Sequence, residues 1–193
     1  MLKIHKVIHT ASPFIIDAKD YQKELFEPAE NGTKSILKAI KEFNPSVKRV
    51  VIISSFGSVL DVNAGLRPGY IYTEADWNPM TTEETEKAGL SAAYLVSKTI
   101  AEKAAWDFVK SEKPNFSVST ITPPMIYGPM LGEVPSMSKL NTSSADIYRL
   151  FNGSLKEMPD TGFYAYIDVR DGKFFFSRNL SSLLNDKHRK HID

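Results

Sequence analysis

A tyrosine and a lysine four positions apart, Tyr94 and Lys98, are the residues whose types and spacing could do chemistry. In a helix this separation places both side chains on one face. A lysine ammonium one turn away stabilises a phenolate and so lowers the pKa of the phenol, which is ordinarily about 10. We therefore expect Tyr94 to act as a proton donor toward a substrate oxygen.

Two serines, Ser54 and Ser55, end an apolar segment whose carboxyl end should face the same helix. A serine hydroxyl can hold a carbonyl oxygen while negative charge builds on it. Tyrosine, lysine and serine together indicate carbonyl reduction, with hydride supplied by a cofactor because no side chain can supply it. The alternative is a packed tyrosine and a solvated lysine on an ordinary amphipathic helix.

The positioning elements are three apolar, β-branched segments separated by helices. Strands are predicted at 4–11, 47–55 and 116–121, and helices at 20–43, 91–111 and 144–151. Pro28 and Gly32 predict a kink or a late first turn in the first helix. This alternation is typical of an α/β fold with a parallel sheet, where ligands bind beyond the carboxyl ends of the strands.

Composition excludes several classes of protein. The 193 residues carry a formal net charge of +1, which argues against nucleic acid as a partner. No cysteine is present, which excludes a disulfide scaffold, a thiolate zinc site and a cysteine nucleophile. No metal site is predicted. The absence of an 18-residue apolar run and of a secretory signal predicts a cytoplasmic protein without a membrane partner.

Ordered motifs across residues 4–171 add a family resemblance. The sequence resembles the extended short-chain dehydrogenase/reductases, in the branch of dihydroflavonol reductases and fungal NADPH-dependent methylglyoxal and carbonyl reductases. The matching segments are HTASPF at 9–14, NGT at 31–33, KRVVIISS at 48–55, WNP at 77–79, AYLVSK at 93–98, AEKAAW at 101–106, PPMIYGP at 123–129, NTS at 141–143 and IDVRD at 167–171.

The resemblance implies NADPH-dependent reduction of a small aldehyde or ketone. It makes Ser55 the substrate-orienting serine, Tyr94 the proton donor, and Lys98 the lysine that also holds the nicotinamide ribose. Asn31 stands where the family has its proton-relay asparagine, and a cap at a helix kink is the alternative. The resemblance further implies a homodimer through the helices that flank the site.

Further residues are assigned to the cofactor and the substrate by the same resemblance. Those along the ribose and pyrophosphate are Thr10, Ala11 and Ser12, and those approaching the nicotinamide are Pro123 and Ile126. Those expected to line the substrate pocket are Phe14, Phe56, Met125 and Tyr127, for which simple core packing is the alternative.

The sequence departs from the family at both ends. The glycine-rich turn that binds the pyrophosphate is absent, and the similarity to the family begins at the family's fourth strand. We therefore expect a partial Rossmann-like sheet lacking the first βαβαβ half. Residues 1–130 are interpreted as an incomplete NAD(P)-binding domain, 131–172 as the start of a substrate-binding region, and 173–193 as a divergent tail.

Three interpretations remain open at this point. The first is a carbonyl reductase. The second is a truncated, catalytically inactive reductase fragment or interaction remnant that lacks the pyrophosphate site. The third is a nucleotide-sugar epimerase, which shares the tyrosine and lysine chemistry and the fold.

Overall fold

The computed structural model describes residues 4–15, 17–159 and 165–172. These residues divide into two compact units, within 4–122 and within 123–172. The predicted tail at 173–193 lies outside the described residues, and the predicted domain boundaries stay predictions. No helix in the described ranges is both long and apolar enough to cross a membrane.

A three-stranded parallel sheet forms the centre of the first unit. Its strands are β1 (Lys6–His9), β2 (Arg49–Ile53) and β3 (Ser117–Ile121), in the order β1-β2-β3. The apolar run of β2 lies in the middle, where Val50 and Val51 are fully buried. The predicted α/β fold with a parallel sheet is confirmed, and all three strand ends point to one edge.

The first helix begins with an irregular turn. Residues Gln22–Phe26 are π-helical and run directly into α1 (Glu27–Phe43). Pro28 follows the π-helical turn directly, and because it has no N–H it cannot donate to a carbonyl of that turn. The predicted kink or late first turn takes the form of a π-helical turn before α1, and Gly32 lies inside α1 without interrupting it.

Two helices follow the long loop after β2. The shorter, α2 (Thr82–Ala88), is not predicted from the sequence pattern, because its charged residues give no apolar period. A capping box begins it: the Thr81 hydroxyl accepts from the Glu84 amide at 3.3 Å, and the Glu84 carboxylate accepts from the Thr81 amide at 2.7 Å. The longer, α3 (Leu90–Glu112), covers the predicted 91–111.

Two hydrophobic clusters hold α3. One joins the sheet to α1 and the second half of α3, through residues Leu37, Ile40, Val47, Val50, Ile52, Ala105, Phe116 and Val118. The other joins the π-helical turn to the first half of α3, through Ala18, Leu25, Phe26, Met80, Ala92, Ala93 and Val96. The half of α3 that carries Tyr94 is therefore packed against the irregular turn.

The second unit has a small sheet of its own. Strands β4 (Met125–Tyr127) and β5 (Tyr166–Asp168) pair in parallel. Helix α4 (Thr142–Tyr148) begins two residues before the predicted start, because the Asn141 side chain caps it by accepting from the Ser144 amide at 2.9 Å.

Candidate active site

Ser55 lies in the turn that directly follows β2. It precedes a short 3₁₀ turn, Phe56–Ser58, and its hydroxyl oxygen accepts a hydrogen bond from the Gly57 amide at 3.1 Å. A Cβ at Gly57 would overlap with the Leu95 side chain on α3. This close approach explains the glycine and fixes the distance between the turn and the helix.

Asn78 closes this turn from the other side of the long loop. It is 2% exposed, and its amide nitrogen Nδ2 donates to the Gly57 carbonyl at 3.1 Å. Its backbone amide donates to the Ser58 carbonyl at 2.8 Å, and its Oδ1 accepts from the Met80 amide at 3.0 Å. In the sequence Asn78 is visible only as part of the WNP motif, because nothing in the sequence indicates its contact with Gly57.

Tyr94 is half-buried on α3, with the Phe14 ring edge-on at a centroid distance of 5.1 Å. Burial raises the pKa of Tyr94 above its ordinary value, and a hydrogen bond from the Ser55 side chain opposes this rise. The expectation that Lys98 lowers the pKa of Tyr94 is wrong for this structure, because desolvation dominates. A raised pKa keeps the phenol protonated at neutral pH, but it makes Tyr94 a weaker acid than the lysine spacing predicts.

Lys98 is buried, with 6% of its surface exposed. Its Nζ donates to the Ile53 carbonyl, at the end of β2, over 3.3 Å. Burial lowers the pKa of Lys98, and the negative charge of Glu102 raises it in part. At the end of β1, burial and then the nearby Lys98 charge lower the pKa of His9. The ammonium thus lies where β1, β2 and α3 meet.

Glu102 is a polar residue that the sequence analysis did not single out. It is 1% exposed and follows Lys98 by one helical turn. Its Oε2 accepts from the hydroxyls of Ser54 at 2.5 Å and Ser58 at 2.6 Å. Its Oε1 accepts from Thr120 at 2.9 Å and from the Trp106 indole at 3.4 Å. The only available sequence signal is its four-residue spacing from Lys98.

The residues predicted to contact the cofactor and the substrate after β1 and β2 differ in their exposure to solvent. Thr10 and Ala11 are exposed, whereas the hydroxyl oxygen of Ser12 is buried without a hydrogen-bond partner among the described residues. Phe14 is 53% exposed although its ring meets Tyr94. Phe56 is half-buried, and its ring meets that of Tyr72 at 5.3 Å.

Asn31 is exposed on α1 and is not brought to this group. It lies about 200° around the helix from Ala29 and from Thr33. Both of these residues are buried on the inner face of α1. The structure therefore offers no contact in support of a proton-relay role for Asn31.

Four of the residues predicted to lie near the nicotinamide or the substrate belong to the second unit. Pro123, Met125, Ile126 and Tyr127 are half-buried there, and the last three form β4. The Tyr127 hydroxyl donates to the Asp146 carboxylate at 2.6 Å. Their predicted places near the nicotinamide and the substrate stay predictions.

The fold and the site together define a class. The sheet is parallel, and a serine, a half-buried tyrosine and a buried lysine lie near the end of β2, at the edge where Rossmann-like proteins bind their ligands. Residues 1–162 match the NAD-binding family described as male sterility protein. The chain belongs to that family.

Relatives and solved structures confirm the resemblance to reductases. The chain is 37% identical over 168 residues to the NADPH-dependent methylglyoxal reductase of Saccharomyces cerevisiae, covering 86% of this chain and 49% of that protein. It is 41% identical over 167 residues to a cinnamoyl-CoA reductase of Medicago truncatula, covering 86% and 47%. The yeast methylglyoxal/isovaleraldehyde reductase complexed with NADPH matches with a TM-score of 0.80 and 34% identity, covering 95% of this chain and 54% of that one.

The chain spans about half the length of the curated relatives it matches. The family and the Rossmann-like fold are therefore shown for this chain. Its activity, substrate and partners are matters for proposal.

Proposed function

We propose that this chain carries the catalytic residues of an NADPH-dependent reductase of small aldehydes or ketones. The observation that carries the proposal is the meeting of Ser55, Tyr94 and Lys98 at the carboxyl end of β2. Relatives named as methylglyoxal and cinnamoyl-CoA reductases support the same chemistry.

In this proposal each residue has a separate role. The protonated Tyr94 hydroxyl donates its proton to the carbonyl oxygen of the substrate. The Ser55 hydroxyl donates a hydrogen bond to the same oxygen while negative charge builds on it. The Lys98 ammonium, at the end of β2, would hold a hydroxyl of the nicotinamide ribose.

The chain's donors fit a dinucleotide cofactor. Ser12 offers a buried hydroxyl without a partner among the described residues. Lys98 makes one long hydrogen bond to the Ile53 carbonyl, which leaves N–H donors for a ribose hydroxyl. When bound, NADPH would supply the hydride that no side chain can supply. Thr10 and Ala11 stay predicted neighbours of the same cofactor.

The test is an NADPH titration of the full chain, followed by cofactor fluorescence, together with methylglyoxal-dependent NADPH oxidation. We expect saturable binding and turnover. Tyr94→Phe should abolish turnover while leaving binding intact, because only the transferable proton is lost. Tyr148→Phe is the matched control, since Tyr148 is an exposed residue of α4 and should leave both properties unchanged.

A folded chain that binds no NADPH would contradict the proposal. It would favour the alternative of a catalytically inactive reductase fragment or interaction remnant. The homodimer and the cytoplasmic location also stay predictions, and sedimentation of the purified chain measures the first of them.

A further inference from the structure

The buried carboxylate of Glu102 lies behind the site and has no role in the chemistry proposed above. It accepts four hydrogen bonds, from Ser54, Ser58, Thr120 and Trp106. A fully buried carboxylate requires such donors, or a nearby positive charge, to offset its desolvation. Its partners lie on β2, on the turn after β2 and on β3, so one side chain joins three segments.

Two of these partners flank the proposed catalytic serine. Ser54 immediately precedes Ser55, and the Ser58 hydroxyl lies 2.9 Å from the Ser55 carbonyl oxygen. The Ser58 amide also donates to that carbonyl at 2.9 Å. Ser55 therefore lies in a turn that is held by two side-chain hydrogen bonds. The Ser54 and Ser58 hydroxyls both donate to Glu102 Oε2.

Glu102 also supplies negative charge close to Lys98. Three titratable groups lie near the ammonium. His9 comes from β1, and Tyr94 and Glu102 come from α3, one helical turn before and after Lys98. The other packed elements present uncharged buried residues, namely Leu25 and Phe26 of the π-helical turn, Ala29, Thr33, Leu37 and Ile40 of α1, and Gly57 and Ser58 of the 3₁₀ turn.

We propose that Glu102 is a positioning residue of the site: it holds the Ser54–Ser58 turn in place and is the counter-charge of the buried Lys98 ammonium. The inference rests on the proposed function for its catalytic meaning. Its structural content, a coupling between Glu102 and Lys98, holds or fails without any turnover. This separation allows the two proposals to be tested apart.

The experiment is a double-mutant cycle read by urea unfolding of the full chain. Its proteins are the unchanged chain, Glu102→Gln, Lys98→Met, and the variant with both substitutions. Glutamine keeps the shape and can still hydrogen-bond the hydroxyls, but it removes the charge. We expect the fall in urea midpoint of the double variant to be smaller than the sum of the falls of the two single variants. The reason is that the double variant leaves no unpaired buried charge.

A pH series supplies the readout that a purely structural residue would not move. Without Glu102 the pKa of Lys98 falls further, so the penalty for burying the ammonium is relieved as pH rises. We expect the difference in unfolding midpoint between Glu102→Gln and the unchanged chain to shrink between neutral pH and about pH 10. In turnover, the alkaline limb of kcat/KM should move to lower pH.

Asp107→Asn is the matched control, a carboxylate-to-amide change at an exposed position of the same helix, and it should move neither readout. Additive losses with a pH-independent difference would overturn the inference even if turnover is normal. If Glu102→Gln does not fold, recovery of folding in the double variant supports the coupling, and failure of both refutes it. A chain without turnover contradicts only the proposed function.

Discussion

Gly57 sets how closely the serine-bearing turn approaches α3, so Gly57→Ala tests the geometry of the site. The added Cβ would overlap with the tip of Leu95 and would lie 3.3 Å from both its Cβ and its Cγ. A change of Leu95 rotamer can move the tip away, but the contact with Cβ stays at 3.3 Å and is tight. The turn or the helix must shift, and Ser55 moves with the turn.

Overpacking of this kind costs about 1–3 kcal/mol of the free energy of unfolding. With a urea m value of about 2 kcal/mol/M, the midpoint should fall by about 1 M. Leu95→Ala in the Gly57→Ala background removes the overlapping atoms and should recover much of that loss. Turnover should fall more than NADPH binding, since the proposed function gives Ser55 a contact with the carbonyl oxygen and none with the cofactor.

Gly32→Ala is the matched control. Gly32 is exposed inside α1, and a Cβ there meets nothing within 4 Å. A glycine inside a helix costs about 0.5–1 kcal/mol relative to alanine, so this variant should be more stable than the unchanged chain. If Gly57→Ala is as stable as the unchanged chain, the close packing of the turn on α3 is refuted.

Three further predictions concern the surroundings of the site. Asn78→Ala leaves the buried Gly57 carbonyl without its side-chain donor and should cost about 1–3 kcal/mol in urea unfolding. Thr81→Ala removes the capping box of α2 and should cost about 1 kcal/mol by the same measurement. Burial lowers the pKa of Lys98 below its ordinary 10.5, so its unfavourable contribution disappears as pH rises toward that value. The unchanged chain should therefore gain stability relative to Lys98→Met from neutral pH to about pH 10, and a constant difference would contradict this.

The sheet and the longest helix could be predicted because buried segments have a recognisable pattern of apolar residues in the sequence. Strand β2 is buried on both faces, so its sequence is an unbroken apolar run. Helix α3 is alanine-rich and carries apolar residues at helical spacing. The ends of these elements locate Ser55, Tyr94 and Lys98, so the candidate site follows from the sequence once the sheet is known to be parallel.

Polar residues that build the site from behind could not be predicted in this way. A glutamate inside a helix is ordinarily solvated, and only the three-dimensional placement of Ser54, Ser58 and Thr120 shows that Glu102 is not. The direction of the pKa of Tyr94 is a similar case. The sequence spacing shows that a lysine lies one turn away, but it does not show the burial that raises the pKa of Tyr94.

The packing of α3 explains why a charged stripe is tolerated in its interior. Residues 96–99 are buried in succession, so this turn of the helix is enclosed on all sides rather than on one face. Its polar residues must then find partners inside the protein, and the stripe Tyr94, Lys98, Glu102 and Trp106 does so turn by turn. The tyrosine end meets Ser55, and the glutamate end anchors the turn that carries Ser55. The same helix therefore contacts Ser55 through Tyr94 and holds the Ser55 turn through Glu102, so we expect the proposed site to be sensitive to substitutions two turns away from Tyr94.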